Sequence, residues 1–315
     1  METIKINFGD FWPDFNSEDN YFTRILSLKY KVEISEDPDI FFFTHPYNGK
    51  RDYLKYKCHR VFLGWENERA NWNICDYVLD FDFYENNPRH KRWPIWASWK
   101  PERLMQEKDM ARFKSKKNFC CMVVSNGKAK ERIEFFNRLS EYKRVDSGGR
   151  FMNNIGGPIR DKMQFISEYK FVISFENSAY PGYTTEKLIQ PMLANSIPVY
   201  WGNPVVDTDF NANSFINIPD TKSFDEAIER IIELDKDDES YMAMAAQPWF
   251  INNNLPAEFT QQSLAEFFDI VIADSKERKP VSKSMLKNSF HKVSLFTNKM
   301  RNYLHHSLRI EKRFR

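Results

Sequence analysis

Tyr169–Pro204, YKFVISFENSAYPGYTTEKLIQPMLANSIPVYWGNP, is the stretch that decides the fold of this 315-residue chain. Lys170–Phe175 and Ile197–Trp201 are short apolar runs rich in β-branched and aromatic residues, the pattern of strands buried on both faces. Between them Thr184 or Thr185 can cap a helix that starts at Glu186 and turns Leu188, Ile189, Met192 and Leu193 inward. Pro191 removes one bond of that helix and predicts a kink. A strand–helix–strand unit belongs to a parallel sheet, and such sheets bind ligands at the carboxyl ends of their strands. Glu176, Asn177, Tyr183, Glu186 and Lys187 all fall at that end.

Working outward, strand and helix patterns alternate on both sides. Upstream, Thr3–Phe8, Asp39–Phe43 and Arg60–Leu63 read as strands and Tyr21–Leu28 as a helix. Asp76–Phe83 alternates like a strand near a sheet edge. Pro88, Pro94 and Pro101 then break the pattern, and the charged run Glu102–Lys117 places a domain boundary there. Beyond it, Asn118–Val124 and Arg144-Val145 read as strands, and Lys128–Leu139 and Asp161–Glu168 as helices. Gly148, Gly149, Gly156 and Gly157 mark a loop. Ser223-Phe224-Asp225-Glu226 is a capping box for a helix carrying Ala227, Ile228, Ile231 and Ile232. Two α/β units result, at 1–112 and 113–274, with a tail at 275–315.

Composition narrows the function. Hydrophobic residues at 42% and charged residues at 29% describe a soluble globular protein, and no apolar run reaches membrane-span length. The start METIKINFGDFW lacks a signal-peptide pattern. Cys58, Cys75, Cys120 and Cys121 have no metal-ligand spacing and read as free thiols in a reducing cytosol. No GxGxxG, Walker or HExxH pattern occurs, which removes the main support for dinucleotide, P-loop and zincin chemistry. Asp37/Asp39, Asp80/Asp82, Asp207/Asp209 and Asp235/Asp237 form DxD patterns, but four such pairs among 44 acids are close to chance. The high aromatic content, 16%, reads first as core filling. Trp93, Trp96 and Trp99 fit either packing or a sugar-binding cleft.

The net charge of +2 hides an asymmetry: residues 276–315 hold twelve Lys/Arg against two Glu, while the rest holds 34 against 42 acids. Leu286, Phe290, Val293, Phe296, Met300, Leu304 and Leu308 recur at helical spacing among these cations. A basic amphipathic helix over 286–308 fits an anionic membrane surface. Packing on protein is the alternative, and nothing besides charge supports nucleic acid.

FENS (Phe175–Ser178), TEK (Thr185–Lys187) and IPVYWG (Ile197–Gly202) together resemble the signature of the α1,3/4-fucosyltransferases that use GDP-fucose. VFLGWENE (Val61–Glu68) is similar to that family's Glu-Asn-Glu segment. Ser125-Asn126 with Arg132 resembles the start of its donor domain. The resemblance covers roughly residues 35–235. It implies the GT-B architecture, two Rossmann-like domains facing across a cleft, with acceptor binding in the first, GDP-fucose in the second, and a C-terminal amphipathic tail. The reaction implied is inverting transfer of L-fucose to O3 of GlcNAc in an N-acetyllactosamine-type glycan, such as a bacterial surface polysaccharide or lipopolysaccharide, at the cytosolic face of the inner membrane.

Sugar transfer from a nucleotide diphosphate needs a base for the acceptor hydroxyl, cations for the diphosphate and a partner for positive charge on the sugar ring. The resemblance places the base at Glu66, with Glu68 as fallback; Trp65 beside it predicts a carboxyl shifted towards neutrality. Arg132 and Lys187 are the diphosphate cations, one a planar fork and one a point charge. Glu186 faces the ring or its hydroxyls, or is a first-turn acid favoured by the helix dipole. The resemblance also assigns Ser125, Asn126, Glu176, Asn177 and Tyr183 to donor binding. No metal site and no required cofactor is read from these residues, GDP-fucose being the donor substrate, and stimulation by a divalent cation is left open. The alternatives are a GT-B transferase for another nucleotide sugar and a non-catalytic nucleotide- or glycan-binding protein.

Overall fold

The computed structural model describes residues 1–45, 49–218 and 224–284. The tail stripe 286–308 and the cap residue Ser223 lie outside the described residues. In the first half, β1 (Thr3–Gly9), β2 (Lys31–Ile34), β3 (Ile40–Phe43), β4 (His59–Leu63), β5 (Tyr77–Asp80) and β6 (His90–Arg92) form a parallel sheet ordered β2-β1-β3-β4-β5-β6. In the second, β7 (Asn118–Met122), β8 (Val145–Ser147), β9 (Tyr169–Phe175), β10 (Ile197–Trp201) and β11 (Ile216–Asn217) form a parallel sheet ordered β11-β10-β9-β7-β8. The helices are α1 (Tyr21–Leu26), α2 (Met110–Ser115), α3 (Lys130–Tyr142) and α4 (Lys162–Ser167). They continue with α5 (Glu186–Leu193), α6 (Phe224–Lys236), α7 (Asp238–Ala246) and α8 (Gln261–Glu277). This is the expected two-domain GT-B arrangement.

Burial on both faces explains the continuous apolar strands. In β3, Phe42 stacks on Phe8 and meets Phe268 of α8 edge-on, while Phe41 and Phe43 turn to Tyr56 and Tyr53 on the other face. In the second sheet, Phe171 and Phe175 pack towards Tyr241 and Phe224 of the helices beyond. Helix α5 buries Leu188, Ile189, Met192 and Pro191 and ends two residues past that proline; the Pro191 carbonyl accepts from Ser196 N at 2.9 Å.

Three points sharpen or change. Tyr77–Asp80 lies next to the sheet edge, as its alternation suggested, and the edge itself is β6, whose half-buried His-Lys-Arg gave no apolar strand signal. His90 Nε2 meets Asp80 Oδ1 at 2.8 Å, and Arg92 makes a bidentate pair with Asp209 (2.9 and 2.6 Å) that ties the two halves together. Trp93 and Trp96 are fully buried, the latter against Phe210 and Phe259, so they fill core and line no cleft.

The third change concerns the domain limits. Helix α2 packs on α7, so the division falls just before α2 rather than inside it. Helix α8, assigned by sequence to the second domain, returns to the first. Phe268 packs on Phe22 and Phe42, Tyr30 donates to Asp269 at 2.8 Å, and Tyr77 donates to Asp274 at 2.6 Å. The chain after 274 continues this contact: Val281 N donates to Asp76 Oδ1, and Ser282 Oγ to the Cys58 carbonyl, both at 2.9 Å. Residues 261–284 therefore complete the first sheet, and the tail begins later than 275.

Candidate active site

The site grows from the end of β9. Glu176, the residue after the strand, is fully buried. It accepts from Thr185 N at 2.7 Å, from Thr185 Oγ1, and from Lys187 Nζ at 3.1 Å. Thr185 is the N-cap of α5, so one carboxylate aligns both the helix start and the lysine. Burial pushes the Glu176 carboxyl up, and Lys187 opposes that shift. Gly202 makes the arrangement possible: its φ is +151°, and a Cβ there would lie 2.5 Å from Glu176 Cγ. This corrects the reading of Glu176 as a donor contact. It is enclosed, with both oxygens engaged, and acts through Thr185 and Lys187.

Glu186 and Lys187 open the helix half-buried, their charged atoms 3.6 Å apart. Burial works against the Lys187 ammonium, but Glu176 and Glu186 outweigh it and hold its pKa up. Burial likewise opposes the Glu186 carboxylate, and Lys187 and Lys162 hold its pKa down. Lys162, at the start of α4, was missed in the sequence. It shares with Lys187 the lining of a cavity of about 20 Å³ at the ends of β7 and β9.

Arg132 is almost fully buried in α3. Its Nη2 donates to the carbonyls of Phe175 (2.7 Å) and Glu176 (3.0 Å) and to Asn177 Oδ1 (3.1 Å), and Nη1 to the Asn126 carbonyl. The guanidinium thus clamps the end of β9 to the loop after β7, instead of standing as a free fork. Asn177 sits in that clamp. Asn126 and Ser125 are exposed on the β7 loop, where Asn126 Oδ1 accepts from Lys128 N. A concavity of about 430 Å³ opens alongside, between Lys128–Glu131, Asn177–Ala179 and Trp201.

The first sheet reaches this cluster through the loop after β4. Tyr183, buried, donates its hydroxyl to Glu66 Oε2 at 3.3 Å. Burial, then Glu176, Glu66 and Glu186, push the Tyr183 phenol far up, so it stays a donor. Asn67 donates to Ser178 Oγ at 2.7 Å, and Arg69 lies 3.9 Å over the Tyr180 ring. Gly182, at φ +83°, lets the loop approach to where a Cβ would meet the Phe81 carbonyl at 2.3 Å. Glu66 itself is exposed: Trp65 turns away to Phe11, Trp12 and Phe22, so the expected apolar cover for the carboxylate is not formed. Glu68, the fallback, pairs with His45 Nδ1 at 2.9 Å.

The structure therefore brings together Glu66, Arg132, Glu176, Asn177, Tyr183, Glu186 and Lys187, from both sheets, at the carboxyl ends of the strands. Two family models match this chain: the α-(1,3)-fucosyltransferase FucT N-terminal domain over residues 6–99, and the glycosyltransferase family 10 (fucosyltransferase) C-terminal domain over 113–252. The chain belongs to glycosyltransferase family 10. Relatives of this family 10 protein include α-(1,3)-fucosyltransferase FucT of Helicobacter pylori, 33% identical over 76% of this chain. They also include human 4-galactosyl-N-acetylglucosaminide 3-α-L-fucosyltransferase 9, 34% identical over 41%. The chain spans 59% of the first and 36% of the second. A crystal structure of an α1,3-fucosyltransferase with GDP-fucose superposes with a TM-score of 0.73 at 26% identity, covering 90% of this chain and 92% of that one.

Other polar groups of this family 10 chain are committed elsewhere. Asp80 is taken by His90, Asp82 by Arg69 and Asp209 by Arg92, which accounts for two of the DxD patterns. Among the described residues no three His, Cys, Asp or Glu side chains cluster as metal ligands. A larger cavity of about 900 Å³ lies at the opposite, amino-terminal ends of β1, β3 and β4 and is lined by charges of both signs.

Proposed function

We propose that the protein is an inverting α1,3-fucosyltransferase that moves L-fucose from GDP-β-L-fucose to O3 of GlcNAc in a lactosamine-type glycan. The observation that carries this is the Tyr183–Glu66 hydrogen bond, which sets an exposed carboxylate of the first sheet against the Glu186–Lys187 pair of the second. Glu66 takes the proton of the acceptor hydroxyl as its oxygen bonds to C1 of fucose. The C1–O bond to the diphosphate breaks, and GDP leaves with the electron pair. Lys187, with the positive charge of Arg132 behind the end of β9, stabilises the departing diphosphate, and ionised Glu186 faces the positive charge developing on the ring. Attack from the face opposite the diphosphate inverts the β linkage to α.

The names of the Helicobacter and human relatives support fucose and the O3 position, and the human relative's name includes a galactosyl-GlcNAc acceptor. Transfer needs no metal in this scheme, because side-chain cations do the work at the diphosphate; activity that vanished in EDTA and returned with a divalent ion would refute that part. Turnover of GDP-fucose, GDP-mannose and UDP-sugars with N-acetyllactosamine, with the product linkage read by NMR, tests the whole reading. Use of any donor but GDP-fucose sinks it. The stripe 286–308 supports attachment to an anionic membrane surface on the cytosolic side, with lipopolysaccharide or another surface glycan as the final acceptor. Sedimentation with anionic vesicles that falls as salt rises is the expected result.

A further inference from the structure

An acceptor sugar needs an apolar face to lie on as well as a base to deprotonate it. Trp12, in the loop after β1, is 42% exposed yet rigidly braced. Its ring contacts Phe11 and Phe15 edge-on and Trp65 at 5.4 Å, and its carbonyl accepts from Phe15 N at 3.1 Å. Buried Asp10 anchors the same loop by accepting from Asp52 N and Tyr53 N. Scattered exposed aromatics are ordinary on any surface. Of the others here, Tyr180 lies under Arg69, Phe83 under Arg92 and Tyr84 packs on His90, while Trp99 is as exposed as Trp12 but does not contact the residue beside Glu66.

Trp12 stands at the carboxyl end of its sheet, like Glu66, and contacts the residue before it. Through the Trp65 contact, and with about 3.8 Å between consecutive Cα atoms, its ring lies within roughly 20 Å of the Glu66 carboxylate, within reach of a short oligosaccharide. The Trp65 indole N–H, directly behind, is buried without a hydrogen-bond partner.

We infer that Trp12 is the apolar platform of the acceptor site, packing on one face of a pyranose ring of a lactosamine-type saccharide; this rests on the fucosyltransferase reading above. A braced ring loses little freedom when the sugar lands on it, so its contact contributes directly to affinity. It takes no part in the chemistry and supplies nothing to the nucleotide.

The test compares wild type, Trp12→Ala and Trp12→Phe, each checked by thermal melting. Kinetics with N-acetyllactosamine are measured alongside GDP affinity, acceptor-independent GDP-fucose hydrolysis and saccharide binding by saturation-transfer NMR. Trp12→Ala should raise the acceptor KM about tenfold, with an intermediate effect for Trp12→Phe, as expected for losing one aromatic contact. Donor KM, GDP affinity and hydrolysis should not move. An unchanged acceptor KM and unchanged NMR contact in Trp12→Ala overturn the platform while leaving the transferase reading intact. A parallel loss of GDP affinity or melting temperature in both variants overturns it in favour of a structural role. A wild type that binds the saccharide through Trp12 but transfers nothing refutes the transferase reading alone, and one that binds GDP but no saccharide refutes both.

Discussion

Glu66→Ala removes the carboxylate proposed as the proton acceptor and leaves the proposed nucleotide contacts of the second sheet in place. Glu66→Ala should lower kcat about a hundredfold or more, with GDP affinity by calorimetry unchanged; a variant that kept its rate would move the role to another acid. Besides its proposed role at the diphosphate, Lys187 bears on stability, because it neutralises buried Glu176. Its pKa is raised, so its contribution is present below its unfolded value and fades only as pH climbs past the folded one. Lys187→Met should cost about 3 kcal/mol, as for a buried pair broken on one side. Glu176, already pushed up by burial, would then resist ionising. The variant's deficit in thermal midpoint should therefore widen as pH rises above the ordinary carboxylate range. A constant deficit would show that Thr185 alone keeps the carboxylate charged.

Between neighbouring elements, the decisive fit is Gly202 after β10 against Glu176 after β9. Gly202→Ala places a methyl 2.5 Å from Glu176 Cγ, at a backbone angle that side chains avoid, and should cost about 2–4 kcal/mol. Because Glu176 holds Lys187, GDP affinity should fall in the same variant, read by melting and calorimetry together. Normal GDP binding in a destabilised variant would separate Glu176 from the donor site. Much of this element was legible: apolar runs marked β9 and β10, and Thr184-Thr185 announced the start of α5, of which the structure makes Thr185 the cap. What sequence could not supply was direction. Glu176 and Asn177 are adjacent and both polar, yet only tertiary packing decides that the first is enclosed and the second joins the Arg132 clamp. Lys162 lacked any local pattern, since its importance comes from α4 packing beside α5. The β6 strand was hidden because ion pairs, not apolar alternation, hold it.

For the whole molecule, the return of residues 261–284 to the first sheet sets where the chain can be cut. Truncation after Asp274 removes Arg278, which pairs with Asp274, and buried Val281, whose N–H meets Asp76. It should lower stability by about 2–3 kcal/mol. Truncation after Ser284 spares these contacts and should leave the thermal midpoint and turnover unchanged while abolishing vesicle binding. If the two truncations melt alike, the segment 275–284 adds nothing to the fold. Leu264, Phe267, Phe268, Val271 and Ile272 do carry a helical stripe, but a stripe does not say which sheet it will cover.

That return also orders events during synthesis. The six strands of the first sheet leave the ribosome early, yet the helix that covers Phe22 and Phe42 emerges roughly 170 residues after β6. At about 5–20 residues per second the nascent sheet waits on the order of 10–30 s with an apolar face uncovered. The second sheet, carrying its own helices in sequence, meets no such delay. The half made first is thus finished last, and a chaperone that shields aromatic surface has its natural client in the unfinished amino-terminal half.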